Sequence, residues 1–318
     1  MPHLHICFFI AMMCGSFFLQ AQQLPLFTQY REYSTAINPA TVGSNYLNFG
    51  QQGTIGLSYR SQWVDIANAP RTTIIHGSYF IDDLSGVNFI VGGQLMNDEI
   101  GPTAFTSLKG RLAAVISDDP EYAGISIGLN AGGLQYRINA TELRARDAED
   151  IMLAQNVAQF SADFGVGVFA YSSFGRGDDN FVYGGVSLPQ VFGDFSFIDD
   201  NGRELTQQRV MHAYAQAGAI FTFWNDSFLE PSVWVKYAPN VPVNVDANIR
   251  YQFPIGLFIG AGGSTAGTAH LETGVLVGDN VGFEKNLQIG YGFDHSFSNQ
   301  GAFIGGTHEL NVAYYFSR

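Results

Sequence analysis

The sequence predicts an all-β protein, a transmembrane antiparallel β-barrel of the outer-membrane type with about 14 strands. Three observations predict it: a composition that is apolar overall but has no long apolar run after the N-terminus, alternation of apolar and polar residues, and an ordered pattern of short and long connections. The 318 residues are 46% hydrophobic and only 14% charged, whereas about a quarter of the residues are charged in ordinary soluble domains. After the N-terminus, no run of about 18 apolar residues could form a membrane-spanning helix. Strands with one apolar face account for this composition.

Apolar and polar residues alternate most clearly between Val241 and Phe253. The odd-numbered positions are apolar, and the even-numbered positions from Asn244 onward are polar. Successive side chains of a strand point to opposite faces of a sheet, so this segment has one apolar and one polar face. Segments of this kind recur about fourteen times. Their centres lie near Leu57, Ile75, Gly92, Leu108, Gly128, Val166, Tyr183, Ala217, Val235, Val245, Phe258, Gly274, Gly290 and Val312.

The connections between these segments differ in length according to their order. Those that follow even-numbered segments are mostly short turns, such as Asp118-Asp119-Pro120, and the two longest, near residues 138–159 and 190–208, follow odd-numbered segments. Outer-membrane barrels have an even number of strands, short periplasmic turns and longer outer loops. The alternative is a secreted β-sandwich, which gives no reason for short connections to follow one set of strands and long connections the other. The pattern therefore favours a barrel in the cell outer membrane.

The first residues have the features of a signal peptide that is cleaved after export. An apolar run ends at Ala21, a small residue at the expected cleavage position. Both cysteines, Cys7 and Cys14, precede this position, so the exported chain has no thiol and no disulfide. The net charge of −13 argues against nucleic-acid binding, because an acidic protein repels phosphate.

The chain therefore divides into a signal peptide (1–21), a periplasmic N-terminal segment (22–52) and the barrel (53–318). The N-terminal segment precedes the first strand and is rich in Tyr, Asn and Gln, and its Asn-Pro pair favours a turn. Two roles are open for it, a plug that fills the barrel or a contact with periplasmic machinery. The candidate partner contacts in this segment are Phe27, Tyr30, Asn38 and Pro39.

The polar faces of the predicted strands carry charges of both signs. A selective pore usually has an excess of one sign at its constriction, and here the two signs are in approximate balance. We therefore predict a network of paired charges that braces a narrow or filled lumen. Its members are Arg60, Lys109, Arg111, Asp163, Lys236, Asp246, Arg250, Glu272, Asp294 and Glu309.

Few residues could support catalysis. His270 and Glu272 share one face of a strand and Ser264 is near, which would allow an acid–base pair in a lumen or rim hydrolase. The alternative is a hydrogen bond within the lumen. The sequence lacks a nucleophile elbow, a His-Glu-x-x-His motif and a phosphate-binding loop, and its histidines are scattered. It therefore predicts no enzyme, no cofactor and no metal site.

The two longest predicted loops are candidates for recognition. Residues 138–159 mix charged and apolar side chains, which could form a short amphipathic helix over one mouth of the barrel. The other loop contains Phe192 and Phe195, and exposed apolar side chains in a loop often mark a partner surface. Inward packing as a lid is the alternative for this loop.

Specific strings of residues occur in order along the exported chain. They are Phe27-Thr28-Gln29-Tyr30, Asn38-Pro39-Ala40, Tyr59-Arg60-Ser61-Gln62-Trp63, Met96-Asn97-Asp98-Glu99-Ile100-Gly101-Pro102, Tyr291-Gly292-Phe293-Asp294 and Gly305-Gly306-Thr307-His308-Glu309-Leu310. In this order and spacing they resemble the PorP/SprF family of type IX secretion system outer-membrane proteins. The resemblance covers essentially the whole exported chain.

This resemblance implies a non-enzymatic barrel in the outer membrane of a type IX-secreting or gliding bacterium. Such proteins assist the secretion or surface attachment of cargo such as adhesins, which carry C-terminal sorting domains, and some connect to periplasmic machinery. The implied partners are type IX secretion components, such a cargo and outer-membrane lipid. The alternative function is a passive, porin-like channel for small solutes.

Overall fold

The computed structural model of the chain describes residues 27–82, 86–139, 157–175, 179–191, 195–198, 204–207, 209–278, 286–297 and 304–316. The predicted signal peptide, residues 1–21, lies outside the described residues. The described part contains two short helices, α1 (Ser34–Ile37) and α2 (Ser44–Phe49), and sixteen strands. In this part of the chain, no helix is long and apolar enough to cross a bilayer.

The strands occupy most of the described chain. Their bounds are β1 (Gly53–Ser61), β2 (Arg71–Ile81), β3 (Val87–Ile100), β4 (Thr103–Ile116), β5 (Ala123–Ile138), β6 (Val157–Phe174), β7 (Asn180–Leu188), β8 (Phe195–Ile198), β9 (Glu204–Gln207), β10 (Ala213–Thr222), β11 (Phe228–Tyr237), β12 (Asn244–Gln252), β13 (Leu257–Ser264), β14 (Thr268–Val277), β15 (Asn286–Ser296) and β16 (Thr307–Phe316).

Fourteen of these strands form one closed antiparallel barrel. Neighbours in the sequence pair with each other, except that β7 pairs with β10, and β1 closes the barrel against β16 from Gly53↔Phe316 to Ser61↔His308. Closure leaves no free edge, so the backbone of every barrel strand can hydrogen-bond within the sheet, as lipid requires. The predicted fold class is confirmed, and each of the fourteen predicted segment centres lies in a barrel strand.

Two local features differ from the sequence expectation. The strands β8 and β9 pair as a separate hairpin in a region that the sequence presents as one long loop, because strands of four residues give almost no periodic signal. The strand expected from Val241 begins only at Asn244, since Pro242 has no backbone N–H to donate to a neighbouring strand.

Side chains of the barrel strands alternate between the outer surface and the lumen. In β12, Asp246 and Arg250 are buried, whereas Ala247 and Ile249 are exposed. Other barrel strands also expose apolar side chains on this surface; Leu108 of β4, for example, is 64% exposed. The outer surface is therefore apolar and faces lipid, whereas charged residues face the lumen together with some apolar side chains such as Phe169.

The two ends of the barrel differ in their connections. β1 begins and β16 ends at the same end, which is here called the inner end, and the opposite end is called the outer end. Connections at the inner end are mostly short, such as the turn between Thr222 and Phe228, with 278–285 the exception, and the two longest connections follow β5 and β7 at the outer end. Because the short turns of outer-membrane barrels face the periplasm, the inner end is the periplasmic end.

The packed core of the protein lies inside the barrel, between its wall and the chain that precedes β1. One apolar cluster joins Phe27 and Tyr33 to Trp234 of the wall, and a second joins Leu47 to Phe169 of the wall. Full burial of a large apolar side chain contributes about 1.5–3 kcal/mol. The chain before β1 is therefore part of the folded core.

Candidate functional site

Residues 27–52, here called the lumen segment, run through the interior of the barrel. At the outer end, Phe27 lines a cavity together with Trp63. At the inner end, Phe49 packs against Phe228 with the ring centroids 6.0 Å apart. The sequence left two roles open for this segment, a plug of the barrel or a contact with periplasmic machinery, and in this structure the segment lies along the lumen.

The Glu309 carboxylate holds the start of the lumen segment. Its two oxygens accept backbone N–H hydrogen bonds of 2.9 Å from Thr28 and from Gln29. The Arg60 guanidinium lies beside it, with Nη1 2.9 Å from Glu309 Oε2 and Nη2 2.5 Å from Asp294 Oδ2. The Thr28 hydroxyl donates to Asp294 Oδ1 at 2.6 Å. Arg60, Asp294 and Glu309, here called the outer cluster, thereby tie the segment to β1, β15 and β16.

Further charges of the wall lie next to the outer cluster. The Lys236 ammonium pairs with Asp246 and lies 4.3 Å from the centre of the Trp234 ring. His270 Nδ1 is 3.0 Å from Asp294 Oδ1, and His270 Nε2 is 3.4 Å from Asp246 Oδ1. His270 thus lies between two carboxylates, and these contacts fix the orientation of its ring.

Nearer the inner end, the lumen segment contributes charges of its own. Arg250 Nη1 is 2.8 Å from Glu32 Oε1 of the segment, and Arg250 Nη2 is 2.8 Å from Glu230 Oε2 of the wall. Arg31 of the segment pairs with Glu272 and lies 3.7 Å from Glu230 Oε2. These five side chains, here called the inner cluster, are each at most 7% exposed.

Burial makes the pairing between the segment and the wall important for stability. Removal of one partner from a buried ion pair costs about 3–5 kcal/mol, because the other charge stays buried without compensation. Glu272 of the wall has its ion-pair partner, Arg31, on the segment, and Glu32 of the segment has its partner, Arg250, on the wall. Segment and wall therefore stabilise each other electrostatically.

A third group of charges lies where the long connection after β7 meets the wall. Lys109 Nζ and Arg209 Nη1 are 2.8 and 3.3 Å from Asp163 Oδ2, and Lys109 also donates to the Pro189 carbonyl at 3.0 Å. These contacts fasten both ends of the connection to the barrel.

His212 lies at the end of the same connection. Burial and the Arg209 charge lower the pKa of His212 to about 4, so His212 is neutral at physiological pH.

Arg111 contacts the backbone of the lumen segment. Its guanidinium donates to the carbonyl oxygen of Pro39 at 2.6 Å and to that of Thr41. The neighbouring Asn38 donates from Nδ2 to the Val168 carbonyl at 3.1 Å. These hydrogen bonds hold the turn of the segment against β4 and β6.

Glycines in the wall make room for this turn. A Cβ on Gly128 would lie 2.3 Å from the Pro39 carbonyl oxygen, and a Cβ on Gly167 would lie 2.0 Å from Asn38 Oδ1. Both distances are too short for any side-chain carbon. As long as the segment occupies the lumen, a side chain at position 128 would collide with the segment backbone and one at position 167 would displace the Asn38 side chain. Glycine allows the close approach at both positions.

The structure brings most of the sequence-derived lumen charges together. All ten are buried, and nine of them, all but Arg111, take part in the ion pairs described above. Sequence reasoning missed Arg31, Glu32, Glu230 and Arg209. Glu230 occupies the polar face of β11, so alternation could have identified it, whereas the other three lie outside the strands and carry no periodic signal.

The partner contacts suggested for the lumen segment are inside the barrel in this structure. Phe27, Tyr30, Asn38 and Pro39 are all buried. A partner could reach these side chains only if the segment left its place against the wall. Of the two residues suggested in the loop after β7, Phe192 lies outside the described residues and Phe195 is the first residue of β8.

The residues considered for acid–base catalysis each have a different partner. His270 contacts two aspartates, Glu272 pairs with Arg31, and the Ser264 hydroxyl accepts a hydrogen bond of 2.9 Å from Asn244 Nδ2. Among the described residues, no group of three or more His, Cys, Asp or Glu side chains is arranged to hold a metal ion. What these contacts provide is structural pairing within the lumen.

A family model described as type IX secretion system membrane protein PorP/SprF matches residues 19–314. A comparison with curated proteins finds no match.

Solved structures of outer-membrane barrels are similar in fold. The toluene transporter TbuX of Ralstonia pickettii aligns with a TM-score of 0.53 and 9% identity, over 89% of this chain and 93% of its own. The deltaS2 mutant of the monoaromatic hydrocarbon channel TodX, a Pseudomonas putida protein, aligns with a TM-score of 0.52 and 10% identity, over 90% and 94%. The translocator domain of the autotransporter NalP from Neisseria meningitidis aligns with a TM-score of 0.41 and 13% identity, over 86% of this chain and 92% of its own. The first two similarities show a shared fold and carry no information on function.

We expect Gly128→Ala to destabilise the folded barrel by about 1–3 kcal/mol, the usual cost of overpacking, because the new Cβ collides with the Pro39 carbonyl. Denaturant unfolding of the purified barrel in detergent measures the change. Gly133→Ala is the matched control, since Gly133 lies on the outward face of the same strand and its nearest neighbour would be the Ser161 carbonyl at 4.0 Å. Equal destabilisation by both substitutions would contradict an occupied lumen.

Arg250→Gln removes the cation that the lumen segment and the wall share. We expect a loss of about 3–5 kcal/mol in the free energy of unfolding, because Glu32 and Glu230 stay buried without it. Arg71→Gln, at an exposed strand end, is the control and should change stability by at most about 0.5 kcal/mol. The double variant with Glu32→Gln should lose less than the sum of the single losses. Strict additivity would show that Arg250 and Glu32 are not coupled.

Proposed function

Since the chain belongs to the PorP/SprF family of type IX secretion system membrane proteins, we propose that it is a non-enzymatic outer-membrane accessory that assists the secretion or surface attachment of a cargo protein. The proposed cargo is a large exported protein with a C-terminal sorting domain, such as an adhesin used in gliding motility. The further partners that we propose for this chain are other type IX secretion components and outer-membrane lipid.

The occupied lumen is the observation that supports an accessory role. The lumen segment packs against the wall from Phe27 to Phe49, and the outer and inner clusters fasten it by ion pairs. The cavities beside it measure about 240, 50, 20 and 10 Å³. A barrel packed in this way offers partners its two ends and its outer wall, and its interior gives no wide passage for a folded cargo.

The proposed cargo contact is the long connection after β7 at the outer end. This connection contains Phe192 and Phe195. At its start the Pro189 carbonyl accepts a hydrogen bond from Lys109 of the wall, and at its end Arg209 pairs with Asp163 of the wall. Apolar side chains in such a loop often mark a partner surface. A loop anchored at both ends can present them in a defined position.

The inner end provides the proposed contact for periplasmic components. Phe49 of α2 is 40% exposed, and Trp224 and Ile255, in two neighbouring inner turns, are 96% and 78% exposed. Aromatic residues at the ends of barrel strands also form the girdle at the membrane interface. Phe49 belongs to the lumen segment rather than to a strand, so a partner at this end would contact the segment directly.

A passive channel for small solutes is the alternative. Two of the similar structures are a toluene transporter and a monoaromatic hydrocarbon channel by name, and the likeness to them extends to the fold alone. The occupied lumen and the balanced charges on its wall favour the accessory role over the channel.

A strain that lacks the protein tests the proposal. We expect the cell surface and the medium to lose at least one exported protein with a C-terminal sorting domain, because that cargo has no accessory, and re-expression of the chain should restore it. Mass spectrometry of surface and medium proteins measures the loss. The channel alternative predicts the opposite result, unchanged secretion with slower uptake of a small solute, and that result would contradict the proposal.

Complementation with loop variants makes this test specific. A chain with Phe192→Ala and Phe195→Ala should fold and reach the outer membrane but fail to restore the missing cargo. The matched control carries Ile151→Ala and Leu153→Ala in the other long outer connection, and it should restore secretion. If both variants fully restored secretion of the cargo, the result would contradict a cargo contact at the loop after β7.

A further inference from the structure

The lumen segment starts at the outer mouth of the barrel. The side chains that hold its first described residues, Arg60, Asp294 and Glu309, lie within two positions of the outer ends of β1, β15 and β16. Phe27 lies in a cavity that is lined in part by residues of the outer connections, Trp63 among them. The segment therefore begins at the mouth opposite to the one at which it joins β1.

The residues ahead of Phe27 are too few to return to the periplasmic side. Cleavage after Ala21, as the sequence predicts, leaves five residues, 22–26, ahead of Phe27. Five residues extend over at most about 17 Å, whereas the apolar band of an outer-membrane barrel is about 25 Å tall. A chain of this length that starts at the outer mouth cannot reach the inner end.

The cavities found between the lumen segment and the wall are also too small for a returning chain. Below the cavity at Phe27, which measures about 240 Å³, the cavities between segment and wall measure about 50, 20 and 10 Å³. A buried water molecule needs about 10–15 Å³ by this measure. These cavities can hold a few water molecules, and a second length of polypeptide does not fit.

We infer that the N-terminus of the exported chain lies outside the cell, at the outer mouth of the barrel, while the last strand ends in the periplasm. The lumen segment then crosses the membrane once in addition to the fourteen barrel strands. This arrangement decides which partner can reach which part of the segment. A partner outside the cell meets the residues ahead of Phe27, and a periplasmic partner meets α2.

This inference is independent of the proposed function. It depends on the path of the lumen segment, the predicted cleavage and the outer-membrane location, and it holds equally for an accessory and for a channel. Failure of the secretion test would leave it unchanged.

Single cysteines test the inference, because the exported chain has none and the wild-type protein is therefore the blank. Gln23→Cys is the test position, Ala266→Cys in an outer turn is the outside control, and Asp118→Cys in an inner turn is the periplasmic control. Intact cells are treated with a maleimide that carries a long polyethylene glycol chain and does not cross the outer membrane. We expect Gln23→Cys to react on intact cells to the same extent as Ala266→Cys, and Asp118→Cys to react only after the membrane is permeabilised.

Reaction of Gln23→Cys only after permeabilisation would overturn the inference. If this thiol is shielded in the cavity at Phe27 under both conditions, a second variant decides. It carries a ten-residue Gly-Ser insertion with one cysteine after Gln22, which extends the chain beyond the mouth. Labelling of this insertion on intact cells supports the inference, and labelling only after permeabilisation, or under neither condition, overturns it.

Discussion

Charges that face a closed lumen need partners, and this constraint determines how the interior of the barrel is built. Arg60 of β1 and Glu309 of β16 lie opposite each other where the barrel closes, and they form an ion pair. The Glu309 carboxylate of this pair also accepts hydrogen bonds from the backbone N–H groups of Thr28 and Gln29. Barrel closure and the position of the lumen segment thus depend on the same few atoms. The inner cluster repeats the arrangement, since its wall carboxylates are neutralised in part by Arg31 of the segment.

Most of the fold could be predicted from the sequence because a two-faced strand carries its signal locally. The alternation in β12, for example, indicates which side chains face lipid and which face the lumen, and no knowledge of the neighbouring strands is needed. The path of the lumen segment could not be predicted in this way, because its helices, of four and six residues, are too short to give a periodic pattern. Its place is set instead by contacts with residues about 30 to 280 positions away, such as Thr28 with Arg60 and with Glu309.

For the candidate site, alternation pointed to charges on the lumen wall, and the sequence left open whether the N-terminal segment fills the lumen. Ten charges of the wall could be assigned to the lumen because they alternate with apolar residues, but the sequence did not show that Arg31 and Glu32 complete their pairing. The strings that carry the family resemblance gain a physical meaning here. Thr28, Arg60, Asp294 and Glu309 belong to four different strings and meet at the outer cluster. The turn at Asn38-Pro39 meets Arg111 and the glycines of the wall.

With the lumen segment in place, the barrel is closed. Electrical recording of the purified wild-type protein in planar lipid bilayers tests it most directly, because an open lumen passes ions continuously and a packed one does not. We expect inserted, folded barrels to show no steady conductance at moderate voltage. A steady open conductance of the folded wild-type barrel would contradict it.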